Sequence, residues 1–303
     1  MQKFHSNGKL LLTGEYVVLD GATALAIPTK YGQSLEVSVS EKEGIHWKSF
    51  DEKGLVWFED FFDLKTLEGK NQHNELSKTL SKILIEAKKL NPDFLLKCDG
   101  ILVETKLDFP RDWGMGTSST LISNIAQWAE VDGFALLANS FGGSGYDIAA
   151  ARSDAPILYE LKHGKSQFKK IKLPWNFTDS LFFVHLNKKQ DSKEGIAHYR
   201  NASVKEKDIQ RISDISNKLL ACDSLSDFEK LMDAHEEAIS EIINLPTIKS
   251  QLFSDYPRTI KSLGAWGGDF VLVTGDVSDM DYFRKKGFKT VIPFDEMILK
   301  TAP

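Results

Sequence analysis

Apolar and polar positions alternate in some stretches of the chain and recur at helical spacing in others, and these two periods mark its elements. Residues 33–41, QSLEVSVSE, alternate as a half-buried strand does, and residues 54–64, GLVWFEDFFDL, continue in the same style. Residues 9–21, KLLLTGEYVVLDG, predict two short strands joined at Thr13-Gly14 and closed by Gly21. In residues 74–91, Leu76, Leu80, Ile83, Leu84 and Ala87 fall at helical spacing, and Asn91-Pro92 ends the helix. LLKCDGILVETKL (95–107) supplies a further strand and STLISNIAQWAEV (119–131) a helix. APILYEL (155–161) and SLFFVHL (180–186) read as strands, and two long helical patterns cover about 203–221 and 225–244. Pro246 and Pro257 punctuate the next stretch, before the strand FVLVTG (270–275), the helix DMDYFRKKG (279–287) and a last strand KTVIPF (289–294). Segregated runs of strands and helices predict an α+β fold rather than a regular βαβ alternation.

The chain has 303 residues, enough for two domains. The polar, lysine-rich stretch from about Lys162 to Asp179 is the expected boundary, giving domains at 1–165 and 175–303. A net charge of −5 argues against a nucleic-acid partner, which demands clustered Lys and Arg. The basic clusters at 187–190 and 283–287 are short and read as solvated faces. Cys98 and Cys222 stand in unrelated contexts, so neither a disulfide framework nor a cysteine metal site is read from them. No apolar run approaches the roughly 18 residues of a membrane span. The first residues lack the pattern of a secretory signal. A cytoplasmic location without a membrane partner is the expectation.

Glycine clusters interrupt this pattern at 112–120, DWGMGTSST, at 140–153, SFGGSGYDIAAARS, and at 261–270, KSLGAWGGDF. The standard nucleotide fingerprints are absent: there is no P-loop, and the sixth position of GMGTSS is Ser119 where a dinucleotide loop has Gly. Yet GMGTSS is a glycine turn opening a helix, a geometry that aims backbone N–H groups and the helix dipole at one anion. Taken alone, the first two clusters also read as turns, the first with a Ser/Thr cap, and the third as a bulge or a close packing contact before a strand. Recurrence in one chain suggests several backbones converging on a polyanionic ligand. Two charged residues stand beside the loops. Lys9 opens the first strand, and Asp147 precedes an apolar helix start, where an N-cap is the alternative reading. An Asp–Lys pair near a phosphate is the minimum equipment for phosphoryl transfer.

The ordered set NGKLLLTGEYVVLDG, GMGTSST, GSGYDIAAA and KSLGAWGGDF resembles the motifs of the GHMP small-molecule kinases across the whole chain from Ser6. Its Gly-Lys-Leu…Gly-Glu-Tyr start and its Gly-Gly-Asp ending of the third motif look most like the phosphomevalonate kinases of that superfamily. The resemblance implies a ribosomal S5-like N-terminal domain and a ferredoxin-like C-terminal domain. It implies a kinase using ATP and Mg²⁺ on phosphomevalonate or, second, mevalonate, and it is compatible with a homodimer. It also implies roles. Asp147 would be catalytic and Lys9 its cationic partner. Gly114, Met115, Gly116, Thr117, Ser118 and Ser119 would hold the triphosphate, with Ser118 on the metal. Glu15, Tyr16, Gly264, Ala265, Gly267 and Gly268 would face the acceptor, and Lys188, Lys189, Lys193 or Arg200 its phosphate. Two departures stand out: Trp266 and Leu263 replace a glycine and a hydroxyl residue. The stretch from Ser119 to Gly143 is short and offers only Glu130 and Asp132 as a further metal ligand. A mevalonate-diphosphate decarboxylase and a non-catalytic ligand sensor share the implied fold; release of CO₂ and absence of ATP turnover would distinguish them.

Overall fold

A computed structural model describes residues 1–96 and 99–299, so Cys98 lies outside the described residues. They form two compact units, each assembled from separated stretches of chain. The first comprises residues 1–8, 31–111 and 116–152, and strands β1 (Gln2–Thr13) and β2 (Ala24–Val39) run through both units. β3 (Gly44–Phe50), β4 (Val56–Phe62), α1 (Glu75–Leu90), β5 (Gly100–Leu107), α2 (Thr117–Trp128), α3 (Gly133–Ser140) and α4 (Tyr146–Ala151) complete it. Its strands are ordered β4-β3-β5-β2, with β3 and β5 parallel and the other pairs antiparallel. The alternation read at 33–41 holds through Val37: Leu35 and Val37 turn inward with Ile45, Trp47 and Val103 against the helices, whereas Val39 at the end of β2 is 91% exposed. Leu80, Ile83 and Leu84 of α1 and Ile122 and Ile125 of α2 close this core. Asn74 starts α1 as its N-cap, its side chain accepting from the Leu76 N–H at 2.8 Å. Leu76 itself departs from the expected face. It is 44% exposed, and Ser77 takes the buried position instead.

The second unit comprises residues 9–30, 112–115 and everything described from Ser153 onward. Here the expectation of two strands at 9–21 fails. β1 ends at Thr13, Gly14 turns the chain at φ +90°, and Val17–Asp20 form a 3-10 turn. Val17 and Val18 are both buried, whereas a strand would send successive side chains to opposite faces. A side chain at Gly14 would also meet the Ala24 Cβ at 2.6 Å. β6 (Ile157–Lys162) pairs with the leading residues of β2, and the lysine-rich stretch beyond it contains β7 (Lys165–Lys170), antiparallel to β6.

The remaining elements are β8 (Leu181–His185), α5 (Ser192–Tyr199), α6 (Glu206–Lys218), α7 (Leu225–Ile243), α8 (Ile248–Leu252), β9 (Ile260–Ser262), β10 (Phe270–Thr274), α9 (Met280–Lys285), β11 (Val291–Pro293) and α10 (Phe294–Met297). The strands β11-β8-β10-β9 form an antiparallel sheet, and the third glycine cluster is the loop joining β9 to β10.

The helix α1 supplies a direct check of which face is buried. Leu84→Ala, at a fully buried position, is expected to cost about 2–5 kcal/mol of unfolding free energy. Leu76→Ala is expected to stay within about 0.5 kcal/mol. Urea titrations that find equal costs would overturn this assignment of the face.

Candidate functional site

The DWGMGTSST stretch divides between the units after Met115. Its leading half belongs to the second unit. The His185 Nδ1 accepts from the Asn187 N–H at 3.3 Å, so Nε2 carries the proton and donates to the Asp112 carbonyl at 3.2 Å. Trp113 meets Phe270 edge-on with ring centroids 5.3 Å apart. The Met115 carbonyl accepts from the Lys9 N–H at 3.1 Å, and the Met115 side chain is buried. At Gly114 an added Cβ would lie 2.2 Å from the Asp269 carboxylate. Lys9, Trp113, Gly114, Gly264 and Asp269 line a small niche there.

In the first unit, Gly116 is the N-cap of α2 at φ 88°, and no side chain caps that helix. The hydroxyls that promised a cap bond backwards. Ser119 and Thr120 both donate to the Gly116 carbonyl, at 2.9 and 3.1 Å, and Thr120 also to Gln33 at 2.7 Å. Thr117 is half-buried and Ser118 exposed. The first-turn amides are thus left without side-chain partners, and the positive end of a 12-residue helix points outward from them. Gly145, not Asp147, occupies the N-cap position of α4. Asp147 sits half-buried in its first turn and accepts from the Ile148 N–H at 3.1 Å. Lys9 belongs to the second unit and Asp147 to the first. Asp132 is committed as the N-cap of α3, accepting from the Ala135 N–H at 2.8 Å, and Glu130 is exposed. Among the described residues no group of three or more His, Cys, Asp or Glu side chains could hold a metal ion, and no helix is long and apolar enough to cross a membrane.

The Gly14–Tyr16 turn belongs to a buried polar cluster of the second unit. The Lys261 ammonium donates to Glu15 and to the Ser262 carbonyl, and lies 3.5 Å from Glu236. Glu236 in turn accepts from the Ser262 N–H at 3.0 Å and its hydroxyl at 2.6 Å. His235 Nε2 accepts from the Gly14 N–H at 3.0 Å and stands 3.5 Å from Glu15. Burial pushes the Glu15 carboxyl up to about 7 against the pull of Lys261, and it raises Glu236 as well. Burial, with Lys261 and Arg211 nearby, holds His235 well below its ordinary value, so its imidazole is neutral. Tyr16 stacks on Tyr199 with centroids 5.5 Å apart, and its hydroxyl accepts from the Trp266 N–H at 3.2 Å. Trp266 does not stand in the loop's open side. It turns into an apolar cluster with Tyr16, Tyr199, Ile212 and Ile239. Ala265 is buried beside it, and a side chain at Gly268 would meet the Lys188 carbonyl at 2.6 Å, whereas Gly264 has open space. Lys188, Lys189, Lys193 and Arg200 are all exposed.

No family model and no curated protein sequence matches this chain. Solved structures do. The mevalonate kinase of Methanococcus jannaschii superposes with a TM-score of 0.70 at 16% identity, over 96% of each chain. The Streptococcus pneumoniae phosphomevalonate kinase in complex with phosphomevalonate and AMPPNP gives 0.67 at 14%, over 94% of this chain and 96% of that one. The Lactococcus lactis galactokinase complexed with galactose gives 0.65 at 14%, over 94% and 88%. The chain has the GHMP kinase fold.

Within this fold the residues that sequence reasoning left without a role are Asp269, Lys261, His235 and Glu236. A signal for the last two was present: they fall among Phe228, Met232, Ile239 and Ile243 on the buried stripe of α7, where polar side chains need partners. The cluster gives a pH prediction whose sign is set by two opposed groups. Glu15, raised from 4.5 to about 7, contributes stability that is full below 4.5 and is lost as pH rises to about 7. His235, lowered from 6.5, contributes stability that is lost as pH falls through 6.5. Glu15→Gln is therefore expected to gain stability relative to wild type as pH rises between 4.5 and 7, and His235→Gln to lose it up to 6.5. Urea titrations across this window check both; parallel profiles for wild type and Glu15→Gln would show that Glu15 keeps its proton equally in both states.

Proposed function

We propose that the protein is an ATP-dependent kinase of small molecules, acting on a small anionic acceptor of the mevalonate type, with phosphomevalonate first and mevalonate second. The observation that carries this reading is the start of α2, where a left-handed glycine and uncapped first-turn amides leave an anion site. It stands on a fold whose solved examples include kinases, one of them holding AMPPNP and phosphomevalonate.

On this reading Gly116, Thr117 and Ser118 wrap the triphosphate, while Gly114, packed against the Asp269 carboxylate, serves as the turn that leads into them. Met115 and Ser119 contribute backbone, since the methionine side chain is in the core and the serine hydroxyl is spent on Gly116. The exposed Ser118 hydroxyl suits a magnesium ligand, because Mg²⁺ keeps water and phosphate oxygens for most of its shell and needs only one or two protein oxygens. The ion's chemistry there is to offset negative charge on the phosphates. The acceptor oxygen bonds to the γ-phosphorus while the bond to the β,γ-bridging oxygen breaks and ADP departs. The Lys9 ammonium offsets charge developing on the transferred group. Where the acceptor is an alcohol, as in mevalonate, the Asp147 carboxylate orients it and takes its proton; the phosphate oxygen of phosphomevalonate brings no alcohol proton. Glu15 acts through Tyr16 and Lys261, being itself fully buried, and Gly264 is the member of the third cluster with room for a guest.

ADP release from Mg²⁺-ATP, assayed with a panel of hydroxylated and phosphorylated acceptors, tests the activity. With an alcohol acceptor such as mevalonate, Asp147→Asn is expected to lower kcat by roughly 10²–10⁴-fold with unchanged ATP affinity. Turnover within a few-fold of wild type would leave Asp147 a helix-dipole residue only. Gly116→Val is expected to abolish nucleotide binding in calorimetry, because the left-handed backbone and close phosphate approach both exclude a branched side chain.

A further inference from the structure

Asp269 stands at the mouth of the glycine loop and has no part in the mechanism above. Its backbone is fixed from both sides: its N–H donates to the Lys188 carbonyl at 2.7 Å, and its carbonyl accepts from the Leu186 N–H at 2.8 Å. It is held at φ 55°, a conformation that costs a non-glycine residue free energy and that persists where the surroundings impose it. The side chain is aimed as firmly as the backbone. Oδ1 accepts from the Gln190 N–H at 3.3 Å, and the carboxylate lies against Gly114 so closely that no larger residue fits there. Burial raises its carboxyl, while the Gln190 amide, Lys9, His185 and Lys189 pull it back. The result is a buried, aimed carboxylate lining the same niche as Lys9.

The chemistry of that pair selects its guest. A carboxylate only accepts hydrogen bonds and an ammonium only donates them. A ligand's phosphate or carboxylate would suit Lys9 and be repelled by Asp269. A metal ion would suit Asp269 and be repelled by Lys9. An alcohol hydroxyl suits the carboxylate, to which it donates its proton, and carries no charge for either residue to repel.

Resting on the kinase reading above, we propose that Asp269 is a specificity-determining residue that receives a hydrogen bond from an alcohol hydroxyl of the acceptor. A site built to bond a hydroxyl rejects the analogue that lacks it, because its polar groups are then left unpaired.

The test compares wild type, Asp269→Asn and Asp269→Ala on mevalonate, phosphomevalonate and galactose, each beside an analogue lacking one hydroxyl. Acceptor KM and calorimetric acceptor affinity are read separately from ATP affinity, with melting temperature as the control for folding. Both variants are expected to weaken acceptor binding about 10- to 100-fold, the range for a hydrogen bond to a charged group, with ATP affinity unchanged. They should also lose the preference for the hydroxylated parent over its deoxy analogue. Should Asp269→Ala fail to fold, the near-isosteric Asp269→Asn carries the same readouts. Acceptor affinity and deoxy discrimination that ignore both substitutions overturn the proposal and leave Asp269 a packing partner of Gly114. Wild-type protein that binds none of the hydroxylated compounds overturns it too. ATP binding decides the kinase reading independently: ATP bound and turned over, with an acceptor indifferent to Asp269, sinks this proposal and keeps that reading.

Discussion

The second unit is organised around one buried charge. Lys261 is fully buried, and an ammonium in a dry interior survives only if its donors are all used. Here they are, on Glu15, on the Ser262 carbonyl and toward Glu236. Removing one partner of such a pair typically costs about 3–5 kcal/mol, since it strands the other charge. The constraint reaches well beyond the lysine. β9 is only three residues long, too short to fix the loop after it by ladder hydrogen bonds alone. Glu236 supplies what the ladder lacks, binding Ser262 through both carboxylate oxygens. Glu15 carries the tie to the Gly14–Tyr16 turn, and Tyr16 returns it to the loop through the Trp266 N–H. The third glycine cluster is thus held at its root by ion pairs and at its middle by a tyrosine.

The fold class was legible because the two hydrophobic periods are clean where elements are long. The helices at 74–91, 203–221 and 225–244 appear nearly as read, since several turns of amphipathic spacing leave little ambiguity. Short elements were not legible. VVLD at 17–20 has strand-like residues, but local packing draws both valines inward and makes a 3-10 turn. β9 offers only Ile260 as an apolar residue, followed by a lysine whose burial depends on carboxylates 246 and 25 positions away in sequence, at Glu15 and Glu236. A charge that is solvated in nearly every sequence context gives no local sign that distant partners have internalised it.

The candidate site shows the same division. Glycines followed by hydroxyls read as a phosphate loop or a capped turn, and the pattern could not choose. The hydroxyls themselves cap nothing, because Ser119 and Thr120 turn back to the Gly116 carbonyl. Asp147 could not be told from an N-cap in sequence, whereas Gly145 holds that position in the structure. Trp266 posed the opposite problem. A bulky residue in a glycine motif must either swing away or reshape the acceptor pocket, and sequence alone does not choose. Trp266 packs with Tyr16 and Tyr199, a cluster built from residues some 250 and 67 positions away in sequence.

These placements change what glycine content itself argues. Gly114 and Gly268 are glycine because protein atoms occupy the space a side chain would need, the Asp269 carboxylate at one and the Lys188 carbonyl at the other. Their smallness serves the protein's own packing. Gly264 differs: nothing lies within 4 Å of the position its Cβ would take, although it lines the niche with Lys9 and Asp269. Packing does not demand glycine there, and its φ of 63° is one that Asn or Asp also adopts. What remains is the space itself, beside the Asp269 carboxylate. A ligand entering at Gly264 would meet that carboxylate, and a third-cluster glycine kept clear of protein atoms is the geometric counterpart of the proposed hydroxyl contact.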